Sequence, residues 1–274
     1  MSQRLNVKKG FSLVWDNEEM IAQLLGCIAQ AGFDGIEPTF NPGKIPSPDK
    51  YLQQAPELRK RCDDYGLTIP SLRAGGRPWT TIPSPDPKER GQALEHTRQA
   101  LECLKLMGGS VLLVVPGQIQ ADIAYDEHWK RVVEYGQRVS KIAEEFDAII
   151  GLENVEARFP LSLKDWRDLI TAINHPRVRM YLDVGNITWL GLGFPEQWIA
   201  ALKGLICQVH FKDAEFGGVL RNLLAGDVDW PAVVGALRNS GYEGWISVEP
   251  VWYHHAPQRL AQRLSHDLDA IFSL

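Results

Sequence analysis

The sequence predicts a (β/α)8 barrel, an α/β fold in which residues 1–274 form a single domain. The chain has 274 residues, close to the roughly 250 residues that this fold usually needs. Strand-like and helix-like segments alternate from end to end, which is typical of a parallel α/β fold. No change of composition, linker or low-complexity run divides the chain. We therefore expect one barrel rather than two smaller domains.

Eight short apolar segments have the length and composition of strands that are buried on both faces. They lie near residues 6–14, 34–39, 67–73, 110–116, 148–155, 178–184, 205–211 and 245–250. An open doubly wound sheet is the main alternative. A Gly-x-Gly-x-x-Gly turn after the first strand would favour it, and Phe11-Ser12-Leu13-Val14-Trp15 contains no glycine.

The segments between the strands have apolar residues at intervals of three and four, as expected for helices that pack one face against a sheet. Residues suited to cap a helix N terminus stand before several of them, at Asp86, Ser162 and Asp229. Gly108 and Gly241 mark the predicted ends of the first and the last of these three helices. In total the pattern indicates eight helices.

Composition and charge exclude several classes of protein. A formal net charge of −5 argues against nucleic acid or an anionic membrane as a partner. No apolar run reaches the roughly 20 residues that span a bilayer, and no signal peptide is evident, so we expect a cytoplasmic protein. Four widely spaced cysteines are predicted to be reduced core residues: Cys27, Cys62, Cys103 and Cys207.

The last four predicted strands each end in a side chain that can bind a metal. These side chains are Glu153, Asp183, His210 and Glu249. Taken singly, each would be explained as a cap, an ion pair or a hydrogen-bonded core histidine. Adjacent barrel strands, however, bring their C-terminal ends around one point, and a buried carboxylate costs several kcal/mol unless it is paired or metal-bound. Three carboxylates and one imidazole suit one Mn²⁺, Mg²⁺, Co²⁺ or Zn²⁺ ion.

Five motifs make the sequence recognisable: Ala31-Gly32-Phe33-Asp34-Gly35-Ile36-Glu37, Leu182-Asp183-Val184-Gly185-Asn186, Val209-His210-Phe211-Lys212-Asp213, Gly226-Asp227-Val228-Asp229-Trp230 and Gly241-Tyr242-Glu243-Gly244-Trp245-Ile246-Ser247-Val248-Glu249. Through them the whole chain resembles the xylose-isomerase-like barrels, a superfamily of sugar and sugar-phosphate isomerases and epimerases. It looks most like the ketose and ketose-phosphate 3-epimerases. The resemblance implies the same four metal ligands, with Glu153 and Glu249 also acting as the acid/base pair. Similar barrels are commonly dimers or tetramers, so we expect a homo-oligomer.

The resemblance also implies substrate contacts. Arg221, in the loop after the seventh strand, matches a position that contacts substrate oxygens in these epimerases. Glu156, in the loop after the fifth strand, matches a substrate-binding carboxylate. Asn186 is a departure, because many relatives have a histidine there. An asparagine can donate a hydrogen bond to a substrate hydroxyl or a metal-bound water, but it cannot carry a proton between groups.

Three further residues near the predicted C-terminal face have two interpretations each. Glu37 ends the second strand and is either a substrate contact or a structural ion pair. Trp15 lies near the first βα loop and could form a wall of a sugar site, since aromatic faces pack against sugar C–H edges, or could simply belong to the core. Lys212 would either contact a substrate phosphate or extend its ammonium to solvent from the strand end.

The DNA-repair endonucleases of the same superfamily are a rival within the fold. They bind three metals through several additional histidines. This chain instead has Ser71-Leu72-Arg73 and Val114-Val115-Pro116 at the third and fourth strands, and Asp229 where another histidine would be expected. The sequence therefore argues against a nuclease.

The function expected from the sequence is inversion at C3 of a ketose or ketose phosphate through an enediolate. A metal would polarise the carbonyl, and two carboxylates would serve as base and acid on opposite faces of C3. The alternatives on the same metal site are an aldose–ketose or hydroxypyruvate-type isomerase and an inosose dehydratase. A binding module without enzymatic activity is a further alternative.

Overall fold

The computed structural model describes residues 4–15, 18–41, 48–76, 78–251 and 256–274. Parallel strands form a barrel, and the prediction of a (β/α)8 fold is confirmed. In chain order the barrel strands are β1 (Lys8–Ser12), β2 (Gly35–Glu37 with Thr39–Phe40), β3 (Ser71–Ala74), β4 (Val111–Val114), β5 (Ile149–Glu153), β6 (Val178–Asp183), β7 (Ile206–Phe211) and β8 (Trp245–Val248). Each strand overlaps one of the segments predicted from the sequence.

The second strand is divided at Pro38, and this division is where the ring of strands begins and ends. Its first segment, Gly35–Glu37, pairs with β1, and its second segment, Thr39–Phe40, pairs with β3. A proline has no backbone N–H to donate to a neighbouring strand, so the ladder is interrupted there. The Pro38 carbonyl still accepts a bond from the Arg73 backbone N–H at 2.9 Å, which keeps β2 and β3 joined.

In the part of the chain that the structure describes, eight helices surround the barrel, as predicted. They are α1 (Glu18–Gln30), α2 (Pro48–Asp64), α3 (Pro87–Met107), α4 (Tyr125–Phe146), α5 (Leu163–Ile173), α6 (Pro195–Ala201), α7 (Trp230–Ser240) and α8 (Pro257–Phe272). Two short helices, Pro78–Thr81 and Val184–Trp189, follow β3 and β6. A hairpin of Asp213–Ala214 and Leu220–Arg221 follows β7. The extra elements therefore lie at the C-terminal ends of strands, on the face where barrels carry their active sites.

The predicted helix caps are confirmed. Side-chain oxygens of Asp86, Ser162 and Asp229 accept bonds from backbone N–H groups at 2.8, 3.2 and 3.0 Å, so each satisfies an N–H that the helix leaves unpaired. Gly108 and Gly241 end α3 and α7 with φ of 79° and 70°, a left-handed conformation that glycine adopts without strain.

Apolar side chains fill the space between the strands and the helices in one continuous core. None of the four cysteines forms a disulfide. Cys62 and Cys103 are buried, whereas Cys27 and Cys207 are half-buried. Among the residues that the structure describes, no helix is both long and apolar enough to cross a membrane.

Candidate metal centre

The structure brings the four predicted metal ligands together around the imidazole of His210. Its Nδ1 lies 2.9 Å from Glu153 Oε1 and 3.8 Å from both Asp183 Oδ2 and Glu249 Oε1. Ligand atoms of Glu153, His210 and Glu249 all lie within 4.8 Å of one another. One nitrogen and three carboxylate oxygens thus face one point at the C-terminal end of the barrel.

Strand register explains why these side chains meet. Asp183 and His210 are directly paired residues of β6 and β7, and Ser247 on β8 is paired with His210. Glu249 follows two residues later, and its backbone N–H bonds to the Phe211 carbonyl at 3.1 Å. Glu153 is the last residue of β5. Glu153 is paired with Tyr181, two residues before Asp183, so the four positions advance along successive strands. Because barrel strands are tilted, this advance brings the side chains together at the barrel mouth.

Asp183 divides its two oxygens between structure and site. Oδ1 accepts the Asn186 backbone N–H at 2.6 Å and caps the short helix Val184–Trp189. Oδ2 is buried and makes no hydrogen bond with any described residue, although it lies 3.0 Å from Lys212 Nζ. Asn154 holds the Asp183 backbone through two side-chain bonds, of 2.8 and 2.9 Å. Asp183 is therefore fixed with Oδ2 directed at His210.

Two cations contact the Glu249 carboxylate, one on each oxygen. Arg73 Nη1 lies 2.5 Å from Oε1, and Lys212 Nζ lies 2.6 Å from Oε2. Arg73 reaches the site from β3, and its Nη2 donates to Thr39 Oγ1 at 2.8 Å. Because carboxylates hold the ammonium of Lys212, the structure argues against one of its two interpretations, extension into solvent. Its possible contact with a phosphate stays a prediction.

A layer of polar side chains lies behind the His210 ring, inside the barrel. Glu37 is fully buried, and its Oε1 lies 2.6 Å from His210 Nε2. Ser71 donates to Glu37 Oε2 at 2.6 Å, and Tyr181 donates to the same oxygen. Ser12 donates to Oε1 at 3.1 Å. The imidazole is thus held between Glu37 on one side and the three predicted carboxylate ligands on the other.

The two predicted catalytic carboxyls have pKa values shifted in opposite directions. Burial and the charges of Glu249 and Asp183 raise the pKa of Glu153 to about 7, while His210 opposes the shift. Burial would also raise the pKa of Glu249, but Lys212 and His210 outweigh burial and lower it, with a further contribution from Arg73. Unequal surroundings of two neighbouring carboxyls are typical of acid/base pairs.

The donor set and the local charge fit one divalent metal ion. Four carboxylates, of which three are buried and Glu249 is half-buried, and two cations leave two negative charges when His210 is neutral, and one divalent ion would balance them. The carboxylates are Glu37, Glu153, Asp183 and Glu249, and the cations are Arg73 and Lys212. Three oxygens and one imidazole nitrogen are suitable ligands for Mn²⁺, Mg²⁺, Co²⁺ or Zn²⁺. Asp183 Oδ2 accepts no hydrogen bond from the described residues and has only the ion pair with Lys212, so a metal ion would give this buried oxygen a further partner.

The residues predicted to contact substrate lie in different surroundings. Arg221 is exposed on the hairpin after β7 and forms an ion pair with Glu215, with Nε 3.0 Å from Oε1. Glu156 is exposed in the loop after β5. Asn186 is buried beside the predicted metal ligand Asp183, and its Nδ2 donates to the Asn154 carbonyl at 2.7 Å. Their contacts with substrate stay predictions.

The other two predicted substrate residues are enclosed by protein. Trp15 is 3% exposed and packs edge-on against Tyr51, with ring centroids 4.9 Å apart. It lines a small cavity between α1 and α2. Glu37 has no exposed surface, and both of its oxygens have partners within the barrel. For both residues the surroundings favour the structural interpretation over direct contact with a sugar.

The sequence did not single out Arg73 or Tyr181. In the sequence Arg73 is notable only as the residue that stands at the end of the third strand in place of a histidine. A charged residue that ends an apolar barrel strand is nevertheless a signal of a site, and it could have been read in the same way as Glu153. Tyr181 has no such signal, because an aromatic residue inside a strand is ordinary core packing.

The hairpin that carries Arg221 is anchored at its base by the buried carboxylate of Asp213. Asp213 Oδ1 accepts the backbone N–H groups of Ala214 and Val228 at 2.9 and 3.3 Å, and Oδ2 accepts Trp230 Nε1–H at 3.0 Å. A Cβ at Gly226 would lie 2.2 Å from Asp213 Oδ1, so the close approach requires glycine. These contacts explain two of the sequence motifs, residues 209–213 and 226–230.

Comparisons with known proteins agree with this architecture. The SgbU protein of Haemophilus influenzae, provisionally named an L-ribulose-5-phosphate 3-epimerase, is 23% identical over 203 residues, which cover 70% of this chain and 69% of that protein. An L-ribulose 3-epimerase superposes with a TM-score of 0.81 at 18% identity and covers 97% of this chain and 95% of its own. The 3-keto-D-glucoside 4-epimerase YcjR from E. coli superposes with a TM-score of 0.79 at 19% identity and covers 98% and 100%.

The names of these proteins describe sugar epimerases, which are isomerases, and this supports the prediction that the chain is an enzyme of that class. At such low identities the solved structures show a shared fold. The family itself is shown by a model described as the xylose isomerase-like TIM barrel, which matches residues 26–270. The chain therefore belongs to the xylose isomerase-like TIM barrel family.

Proposed function

We propose that this protein is a metal-dependent epimerase that inverts C3 of a ketose or ketose phosphate. One observation carries the proposal: Glu153 and Glu249 approach the same His210 nitrogen, at 2.9 and 3.8 Å, from the two ends of the arc formed by β5 to β8. Two carboxylates on different sides of one site can reach opposite faces of a bound sugar. The names of the related proteins, which include ketose and ketose-phosphate 3-epimerases, support the same class of reaction.

Four residues would hold the metal, namely Glu153, Asp183, His210 and Glu249. When bound, a divalent metal would polarise the substrate carbonyl and stabilise the negative charge that develops on its oxygen. The protein then has to move two protons. One carboxylate removes the proton from C3 on one face, which leaves the substrate as an enediolate, and the other returns a proton to the opposite face, which inverts C3. The reverse reaction exchanges the two roles.

The surroundings of the two carboxylates support this division of work. Glu249 is held between two cations and is the better candidate for the base that starts without a proton. Glu153, buried beside other carboxylates, is the better candidate for the group that starts with one. Asn186 stands where many relatives have a histidine, so proton transfer in this chain would depend on the two carboxylates alone.

Substrate recognition would come from residues at the barrel mouth. We propose that Arg221 and Glu156 contact the sugar, because both are exposed on loops that follow metal-binding strands. Arg221 would exchange its surface partner Glu215 for substrate oxygens or a phosphate. A guanidinium can hold either group through two parallel hydrogen bonds.

The test is incubation of free and phosphorylated ketoses with the protein and Mn²⁺ in D₂O, followed by NMR. Deuterium at C3 of both epimers supports the proposal. Label or rearrangement confined to C1 and C2 would establish an isomerase, and loss of water would establish a dehydratase. A pure binding module would show no metal-dependent exchange of any carbon-bound hydrogen with any ketose. Glu145→Gln is the matched control for Glu153→Gln and Glu249→Gln, since Glu145 is an exposed α4 residue that pairs with Arg98.

A further inference from the structure

We propose that Glu37 is a positioning residue that fixes the tautomer of His210, so that Nε2 carries the proton and Nδ1 presents its lone pair to the metal. The proposal deepens the proposed function and rests on its metal site. It concerns a residue that has no exposed surface and therefore acts through another. A histidine that binds a metal through one nitrogen generally donates its other N–H to a fixed acceptor.

The surroundings of Glu37 allow its carboxylate only to accept hydrogen bonds. Its Oε1 faces Ser12 Oγ at 3.1 Å and His210 Nε2 at 2.6 Å. Its Oε2 accepts from Ser71 Oγ at 2.6 Å and from the Tyr181 hydroxyl. A carboxylate offers about four acceptor positions, and four partners fill them here. A proton on either oxygen of Glu37 would have to displace one of these donors.

The Ser71 hydroxyl has its proton free to donate to Glu37. Gln208 Nε2 donates to Ser71 Oγ at 2.7 Å, so the Ser71 oxygen is already an acceptor and its proton can point at Glu37. This chain of donors runs from β7 through β3 to β2. The Gln208 amide nitrogen can only donate, so the hydrogen bonds run from Gln208 to Ser71 and from Ser71 to Glu37, and Glu37 is the acceptor at the end of the chain.

The acceptor role of Glu37 determines which nitrogen of the His210 ring carries the proton. Since Glu37 Oε1 is an acceptor, the His210 Nε2 at 2.6 Å must be the donor. In the neutral ring, Nδ1 is then unprotonated and lies 2.9 Å from Glu153 Oε1. Two electron pairs at that distance repel unless a proton or a metal ion lies between them, and the proposal assigns this place to the metal in the loaded protein. The opposite tautomer would place an unprotonated Nε2 against Glu37, which no arrangement of the described hydroxyls relieves.

The test measures metal binding and the tautomer directly, and neither measurement uses a sugar. Glu37→Gln keeps the size of the side chain and loses its charge. We expect its affinity for Mn²⁺, measured by calorimetric titration, to fall by about 10- to 100-fold. Ser12→Ala is the matched control, because it removes one hydrogen bond from the same carboxylate and leaves the charge. We expect its affinity to change by less than about threefold, although both variants should be less stable to heat.

The tautomer is read in the wild-type protein loaded with diamagnetic Zn²⁺, by long-range ¹⁵N NMR of the His210 ring, so the proposal can be tested even if Glu37→Gln does not fold. A protonated Nε2 and a metal-bound Nδ1 are expected. A metal-bound Nε2, or unchanged Mn²⁺ affinity in folded Glu37→Gln, would overturn the proposal and leave the epimerase untouched. The expected metal results without exchange at C3 would overturn only the epimerase. A wild-type protein that binds no Mn²⁺ would overturn both.

Discussion

Replacing Asp183 separates its role as a helix cap from its proposed role as a metal ligand. In Asp183→Asn the Oδ1 that accepts the Asn186 N–H is kept, whereas the buried Oδ2 becomes an amide nitrogen and one negative charge is lost. We expect this variant to fold and to bind no metal. Asp183→Ala loses the cap as well, and it should be less stable than Asp183→Asn by about 1 kcal/mol, the usual cost of removing an N-cap.

Linkage gives the size of the metal effect. A ligand present at one hundred times its Kd stabilises the folded state by about 2.7 kcal/mol if it binds only that state. Urea unfolding of the wild-type protein in Mn²⁺ and in EDTA should therefore differ by about this amount. The same comparison should give no difference for Asp183→Asn or Asp183→Ala.

Asp229→Ala is the matched control, because it removes an N-cap from α7, where the side chain accepts the Ala232 N–H at 3.0 Å. It should lose about 1 kcal/mol of stability and keep the whole metal-dependent difference. The reasoning fails if folded Asp183→Asn binds metal with full occupancy, or if the control loses metal binding as well.

Three further predictions follow from the site and its surroundings. Arg221→Ala should lower kcat/KM on the true substrate, with a loss of transition-state stabilisation of about 2–4 kcal/mol, because a charged hydrogen bond to substrate is removed. Arg98→Ala, which breaks an exposed ion pair, should leave steady-state kinetics unchanged. Equal kinetics for the two variants would refute the substrate contact. Glu153→Gln and Glu249→Gln should each abolish exchange at C3, because a two-face mechanism has no spare base, and near-normal turnover in either would exclude the paired carboxylates. Burial lowers the pKa of His96, on α3, from 6.5 to about 4, so the stability that the neutral ring contributes is complete above pH 6.5 and is lost as the pH falls to about 4. The loss is at most about 3 kcal/mol. His96→Leu should remove this pH dependence from urea-unfolding stability, and an unchanged dependence in the variant would contradict the prediction.

The parts of the site that follow from strand order could be predicted from sequence. Glu153 and Asp183 are the last residues of their strands, and His210 lies one residue before the end of its own. In a parallel barrel, position along a strand determines height, and order in the chain determines which strands are neighbours. Position along a strand and order in the chain, both readable from the sequence, therefore predict that these three side chains lie close together.

The parts that depend on reach across the barrel could not be predicted. Arg73 contacts Glu249, which is 176 residues away in the chain, and Glu37 contacts His210, which is 173 residues away. Which nitrogen of the imidazole faces which carboxylate is a matter of ring orientation, and the ring also packs against Tyr181 at a centroid distance of 4.6 Å. Sequence spacing contains no information on such orientations, so Glu37 could be assigned only to the correct end of the barrel.

The clamp that Asp213 forms at the base of the hairpin after β7 has a consequence for how this enzyme could be altered. The segment from Glu215 to Ala225 is attached at both of its ends through contacts with the buried carboxylate of Asp213, which lies three residues after His210. A loop anchored in this way can change length or sequence while its attachment points stay fixed. Exchanging this segment between related barrels is thus a route to new sugar selectivity in which the residues proposed to move protons remain in place.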